Sequence, residues 1–245
     1  MFRCVLVLAV VVFISMVSMA TACTTFVLGS KGTLVYGRNL DYGYEYGLIV
    51  VNKRNVRKTA FAPVKLGKAT QLARWTSKYG SLTVSSIGRE FPCSGINEAG
   101  LTISEMTLNE SRYPDPDDRP AITVLQWIQY QLDNCTSVTE VLKSDTRLRV
   151  FPLSSRGHHY LVCDSSGDVA TIEFLGGQMV VRRKDALGPV VLTNSTCDSS
   201  HDFLKSHEGF GGDEPIPQGR ASLDRFVRAA SLINGSVPND KPVDK

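Results

Sequence analysis

The chain has 245 residues, 42% of them hydrophobic and 21% charged, with 27 Lys and Arg against 24 Asp and Glu for a net charge of +3. No internal repeat or low-complexity tract is present. No basic run interleaved with aromatics tracks a phosphate backbone, which argues against nucleic acid as a partner.

The first element is a leader. Met1-Phe2-Arg3 gives a short positive start, Val5 to Val17 is almost entirely aliphatic, and Ala20-Thr21-Ala22 offers small residues at a signal-peptidase site. A membrane anchor would need about 20 apolar residues, and Ser15, Ser18 and Thr21 polarise the end of this stretch, so cleavage is the favoured reading. A lipoprotein reading is weaker because Ala20 stands where such signals usually place leucine. The expectation is an exported protein, secreted or periplasmic, with no stable membrane anchor after cleavage. Removal of residues 1–22 leaves 223 of the 245 residues and a charge of +2, because Arg3 is the only charge lost. That length suits a single domain with a sizeable core.

Cleavage after Ala22 makes Cys23 the N-terminus. Such a residue carries a nucleophile and a base together, because an unprotonated α-amine, of reference pKa roughly 7.7 to 8.0, can take the thiol proton. The pattern points to an amide hydrolase activated by its own processing. Four further cysteines, Cys93, Cys135, Cys163 and Cys197, are either two disulfides of an exported protein or isolated buried thiols. None forms a CxxC pair, so no structural zinc is expected, and no cofactor is implied. Asn109, Asn134, Asn194 and Asn234 lie in glycosylation sequons.

Strand-like runs follow at Thr24 to Leu28, Thr33 to Tyr36, Gly47 to Val51 and Ser81 to Ile87. Asn97 to Gly100 reads as a hairpin turn before Leu101 restarts a strand. Pro120 suits a first helical position, and Ile122, Leu125, Trp127, Ile128 and Leu132 predict a helix over 120–133. Ser137-Val138-Thr139-Glu140 forms a capping box for a second helix. His159 to Cys163, Asp168 to Phe174, Gln178 to Arg182 and Val190 to Thr193 alternate as a β-meander with a turn at Ser165-Ser166-Gly167. A helix over 220–233 closes the pattern. Strands, helices, strands and a helix predict an α+β chain rather than βαβ units.

The segments Cys23-Thr24-Thr25-Phe26 and Tyr36-Gly37-Arg38-Asn39-Leu40-Asp41-Tyr42 resemble the opening of the choloylglycine hydrolase and penicillin V acylase family of N-terminal nucleophile hydrolases. Further blocks follow in the family's order: Gly95 to Leu101, the His159 to Glu173 hairpin, Leu192-Thr193-Asn194-Ser195, and Arg225-Phe226-Val227-Arg228. The likeness implies a four-layer αββα sandwich. It also implies hydrolysis of linear, non-peptide amides in N-acylated small molecules, such as conjugated bile acids or penicillin V, through a thioester on Cys23.

The resemblance carries site residues with it. Arg38 would hold the thiolate, since a nearby cation lowers a cysteine pKa, and Asp41 would orient the α-amine. Asn194, at a strand end, would donate to the oxyanion; Arg225 matches a family arginine of the catalytic centre, whereas Arg228 reads as an ordinary helix-face charge. The family's second oxyanion asparagine falls here on Thr107, with Asn109 two residues later, and either is a possible donor. The loops at 61–79 and 208–218 are expected to shape the substrate pocket.

The family usually continues for many tens of residues past the helix that holds Arg225, so the chain reads as C-terminally truncated and lacking the last sheet strands. A fragment of that kind is expected to leave a sheet edge or core face uncovered. Two rival functions remain: a secreted binding protein of the same fold with impaired catalysis, and a cysteine protease with His158, His159 or His201 as base. A homo-oligomer is left open.

Overall fold

The computed structural model describes residues 22–30, 33–41, 47–62, 71–183 and 186–236. The leader, the 63–70 part of the first expected pocket loop, and the last nine residues with their tail lie outside them.

Fourteen strands and four α-helices alternate along the described chain: β1 (Thr24–Ser30), β2 (Thr33–Asn39), β3 (Leu48–Asn52), β4 (Arg57–Thr59), β5 (Arg74–Thr76), β6 (Ser81–Ser85), β7 (Ser94–Asn97), β8 (Thr102–Thr107), β9 (Ala121–Thr123), α1 (Val124–Asn134), α2 (Val138–Lys143), β10 (Arg149–Phe151), β11 (His158–Cys163), β12 (Val169–Leu175), β13 (Gln178–Arg183), β14 (Val191–Leu192), α3 (Cys197–Leu204) and α4 (Ser222–Ser236). A seven-stranded sheet runs in the order β13-β12-β11-β8-β7-β6-β3, and a smaller one in the order β14-β1-β2. Every pairing within both is antiparallel.

Three apolar clusters separate four layers, and this is the expected αββα sandwich. Trp127, Ile128 and Leu132 of α1 pack on Leu101, Ile103, Tyr160 and Phe174 of the large sheet. Val27, Met106, Leu161 and Leu192 meet between the two sheets, and Val191, Phe226, Val227 and Ala230 join the small sheet to α4. The alternation along β1 explains the arrangement, because Thr25 and Val27 face the large sheet while Phe26 packs toward α4. Gly37 lies opposite Phe26 in the β1–β2 register, and a Cβ there would overlap the Phe26 ring.

Several boundaries differ from expectation. The helix expected from Pro120 begins at Val124, because Ala121–Thr123 pairs in parallel with Arg149–Phe151 and the Thr123 hydroxyl then accepts from Gln126 N. At α2 Ser137 accepts from Glu140 N as expected, but Glu140 reaches back to Thr136 N at 2.7 Å rather than to Ser137. The 61–79 stretch is not all loop: Arg74–Thr76 pairs with Arg57–Thr59. The helix at Cys197–Leu204 was not anticipated; Thr196 caps it, with its hydroxyl accepting from Ser199 N.

The most consequential difference is at β14. The expected fourth strand of the meander crosses instead to the small sheet and pairs with β1, matching Thr25 to Leu192 and Phe26 to Val191. The five described cysteines are all buried, and none is in a disulfide. Of the two readings for Cys93, Cys135, Cys163 and Cys197, buried thiols hold and the two disulfides do not form.

The small sheet covers only part of the large one. On β3, β6 and β7, Ile49, Val51, Leu82, Val84 and Ile96 are exposed, with Ile49 at 73% and Val51 at 69%. The register places Val51, Leu82 and Ile96 in one row. A groove of about 540 Å³ runs from Leu34 and Tyr36 of β2 to Leu82, Val84 and Ile96.

Candidate active site

Cys23 sits one residue before β1 and is 2% exposed. Pairing of β1 with β14 brings the chain that follows Leu192 beside it, so that Cys23 N–H donates to Asn194 Oδ1 at 3.0 Å. Asn194 is held from three sides. Its main-chain N–H donates to Ser222 Oγ at 2.8 Å, its Nδ2 donates to Thr107 O at 3.0 Å, and its Oδ1 accepts a second bond from Arg225 Nη2 at 2.8 Å. Two donors facing one atom and a carbonyl facing the other settle which end of the amide is oxygen.

Arg225 reaches this point from the first turn of α4. Its Nη1 donates to Cys23 O and, at 2.9 Å, to Thr24 Oγ1. The same helix contributes Ser222, whose hydroxyl donates to Thr193 Oγ1 at 3.0 Å. Ser222 and Arg225 therefore fasten both chain segments that meet at Cys23. Arg228 is not an idle charge: its Nη1 donates to Pro217 O and Gly219 O at 2.9 Å, tying the preceding loop to the helix.

Arg38 enters from the other side. It stands on β2 opposite Thr25, donates to Cys93 O, and places Nη2 3.3 Å from Glu105 Oε1. Burial pushes the Cys23 thiol above its ordinary value, opposed by the Arg38 charge, reinforced by the Glu105 charge, and opposed again by hydrogen bonds from the Asp41 main chain and Arg38. Cys135 and Cys197 are different. Burial drives them to about 12 and about 11, which marks them as packing groups rather than nucleophiles.

Two contacts differ from those expected. The Asp41 residue is exposed, and its carbonyl accepts from Ala22 N at 3.3 Å; the group facing Cys23 N is Asn194. Conversely, the Asn194 amide nitrogen assigned to the oxyanion is engaged by Thr107 O. Thr107 and Asn109 also separate: Thr107 lines a cavity of about 60 Å³ with Cys23, while Asn109 is exposed and gives its carbonyl to Arg112. The walls of that cavity are Ser86, Ile87, Leu125, Leu153, Ser154 and Arg156, so the loops at 86–87 and 153–156 border Cys23 rather than the described parts of 61–79 and 208–218.

Glu105 and His158 belong to the same cavity; Glu105 was not anticipated, and His158 was expected only as the base of the rival protease. No motif announces them, since a glutamate and a histidine 53 positions apart meet only through strand pairing. Asn97 is a brace: its Nδ2 donates to Leu132 O and Cys135 O, and its Oδ1 accepts from Ala99 N and Leu101 N. The buried His159 lies against Glu173 Oε1 and Thr193 O, and Glu173 also accepts from Cys197 N. His201 meets Phe226 edge-on. These contacts give His159 and His201 structural partners.

A model of the linear amide C–N hydrolases, choloylglycine hydrolase family, matches residues 23–238. The chain belongs to that family. A penicillin V acylase from Pectobacterium atrosepticum is 34% identical over 181 residues, covering 67% of this chain and 48% of the relative. The chain thus spans about half the length of that curated relative. Among solved structures, penicillin V acylase from Agrobacterium tumefaciens superposes with a TM-score of 0.73 at 29% identity, over 90% of this chain and 67% of its own. A variant of conjugated bile acid hydrolase from Clostridium perfringens gives 0.71 at 24% identity, over 91% and 76%, and supports the fold alone.

Proposed function

We propose that this chain hydrolyses linear amides of N-acylated small molecules, with Cys23 as an N-terminal nucleophile freed by removal of residues 1–22 during export. The observation that carries the reading is the convergence on one residue: Asn194 Oδ1 faces Cys23 N, Arg225 holds Cys23 O, and Arg38 acts on the thiol. In the processed chain the α-amine occupies the place of that nitrogen. Asn194 Oδ1 then accepts one amine hydrogen and aims the lone pair, while the amine takes the thiol proton.

The sulfur attacks the substrate carbonyl and the negative charge moves to its oxygen. Thr107, in the shared cavity, supplies a hydroxyl toward that charge. The ammonium returns its proton to the departing amine, leaving a thioester on Cys23. Water then attacks the thioester, the amine again takes a proton, and the acid leaves with the thiol restored. Because burial keeps the thiol above its ordinary value, proton transfer within Cys23, rather than a standing thiolate, supplies the nucleophile. Conjugated bile acids and penicillin V are the substrate classes that the family's name and the curated relative's name suggest.

The test is N-terminal sequencing of the exported protein, followed by amide turnover for wild type and Cys23→Ser. Cys23 at the new N-terminus, with turnover abolished in the serine variant, is the expected result. A retained leader sinks the mechanism. Correct processing without turnover of any N-acyl amide favours a binding protein of the same fold, a reading to which Thr107 at an expected asparagine position already lends weight.

A further inference from the structure

Beside Cys23 lies a buried charge cluster that the cleavage scheme leaves unused. Glu105 on β8 is 6% exposed, with Oε2 2.7 Å from His158 Nδ1 and Oε1 3.3 Å from Arg38 Nη2. Register explains the first contact: Glu105 pairs with Tyr160 and His158 with Thr107, so Glu105 and His158 are diagonal neighbours on one face of the β8–β11 ladder. Cys23, Glu105, Thr107 and His158 line the same small cavity. Arg38 is therefore a shared cation, with the thiol on one side and a carboxylate on the other.

We propose that Glu105 and His158 are positioning residues that set how much of the Arg38 charge supports the Cys23 thiolate. This deepens the assignment of Cys23 as nucleophile and rests on it. A carboxylate in a dry site left with one partner draws that partner toward itself and opposes a second anion nearby. His158, hydrogen-bonded through Nδ1, carries part of the Glu105 charge and leaves Arg38 available to sulfur. The charge effects agree in sign, since Glu105 raises the thiol and Arg38 lowers it. Burial raises Glu105, but the His158 bond and charge and then Arg38 outweigh it, so the carboxyl lies below its usual range and is ionised at neutral pH.

Other titratable and charged groups face the cluster from neighbouring elements. Cys93, ahead of β7, is a thiol raised by burial and by Glu105. The Tyr113 hydroxyl accepts from His158 N at 2.8 Å, and Arg156 lines the cavity from the 153–156 loop. Tyr113 is pushed up to about 12 by burial, so it stays neutral across the working range.

The experiment reads the thiol without substrate: the rate at which iodoacetamide alkylates Cys23 in the full exported chain, followed from pH 5 to 10 by peptide mass spectrometry, in Glu105→Gln, His158→Asn and the double variant. Glu105→Gln is expected to speed alkylation at pH 7 by about three- to tenfold and to move the midpoint of the profile to lower pH, because a unit of thiol pKa is a tenfold change in thiolate. His158→Asn should slow it by a similar factor. The double variant should follow Glu105→Gln, since His158 acts only through Glu105. Slowing in both single variants, or a midpoint that neither moves while thermal unfolding is unchanged, overturns the proposal. If Glu105→Gln does not fold, an unshifted His158→Asn profile overturns it alone. Absence of amide turnover in wild type would count against the hydrolase reading without altering these profiles, so the two failures are distinguishable.

Discussion

The two ends of the seven-stranded sheet are built from the same kind of strand and have opposite surroundings. At one end β8, β11 and β12 lie under the small sheet, and Leu161 is fully buried between the layers. At the other, β3, β6 and β7 carry Ile49, Val51, Leu82, Val84 and Ile96 into the open. On the face toward the small sheet both ends carry apolar side chains, Met106 and Leu161 at one and Leu82 and Ile96 at the other. The difference teaches that the residues declare a face apolar, whereas a second layer decides whether that face stabilises anything. It also decides where chemistry can reside. Arg38, Glu105 and Cys23 interact strongly because the covered end is dry, and the same groups on the open end would be screened by water.

The comparison can be broken by substitutions matched across the two ends. Leu161→Ala at the covered end should cost about 2–5 kcal/mol of unfolding free energy, read by denaturant unfolding; a cost below 1 kcal/mol would mean that the inter-sheet cluster is loosely packed. Asn194→Ala removes the acceptor facing Cys23 N, and kcat/KM for amide cleavage should fall about 100-fold, whereas Asn109→Ala, in the exposed turn, should stay within about twofold of wild type. Equal losses in both would return the site to the undecided state of the sequence reading.

Acid sharpens the contrast further. The folded-state pKa of Glu105 lies below the ordinary carboxylate value of about 4.3. Its ion-paired form therefore stabilises the protein above that value, and the stabilisation is lost as pH falls through the lower folded value. The unfolding free energies of wild type and Glu105→Gln should thus differ at pH 6 and converge below about pH 4. A difference that grows on acidification would contradict the ion pair. The smallest effect belongs to Leu82→Ala at the open end, which should change stability by no more than about 0.5 kcal/mol. A cost near that of Leu161→Ala would reveal that something covers this face in solution.

Much of the architecture was readable without coordinates, and the failures are instructive. Strands β1, β2, β11, β12 and β13 follow from runs of β-branched and aromatic residues between turn residues, although only β1 buries alternate residues and β11 and β12 are buried on both faces. Helix α1 was displaced at its start because Ile122 and Thr123 found a strand partner in Val150 and Phe151, a choice made by residues about 28 positions away. Helix α3 was missed because Cys197 to Leu204 is short and polar, and its support comes from outside: Glu173 accepts from Cys197 N and Phe226 meets His201 edge-on.

At the site the division is similar. Cys23, Arg38, Asn194 and Arg225 could be named from ordered motifs behind an expected cleavage site, and the fold brings all four together. Their roles could not be assigned that way. Which end of the Asn194 amide faces Cys23 depends on the Thr107 carbonyl and the Arg225 guanidinium, and the exposure of Asp41 depends on where the main chain leaves β2.

What the sequence by itself determined is the identity of the nucleophile candidate, the layered α+β pattern and the family blocks, all of which are local in the chain or fixed in order. What only the tertiary structure decided is the crossing of β14 to pair with β1, the placement of Asn194 rather than the exposed Asp41 against Cys23 N, and the meeting of Glu105 with His158 beside Arg38. Those depend on strand register and on exclusion of water between two sheets, and neither quantity is written in any single segment of the chain.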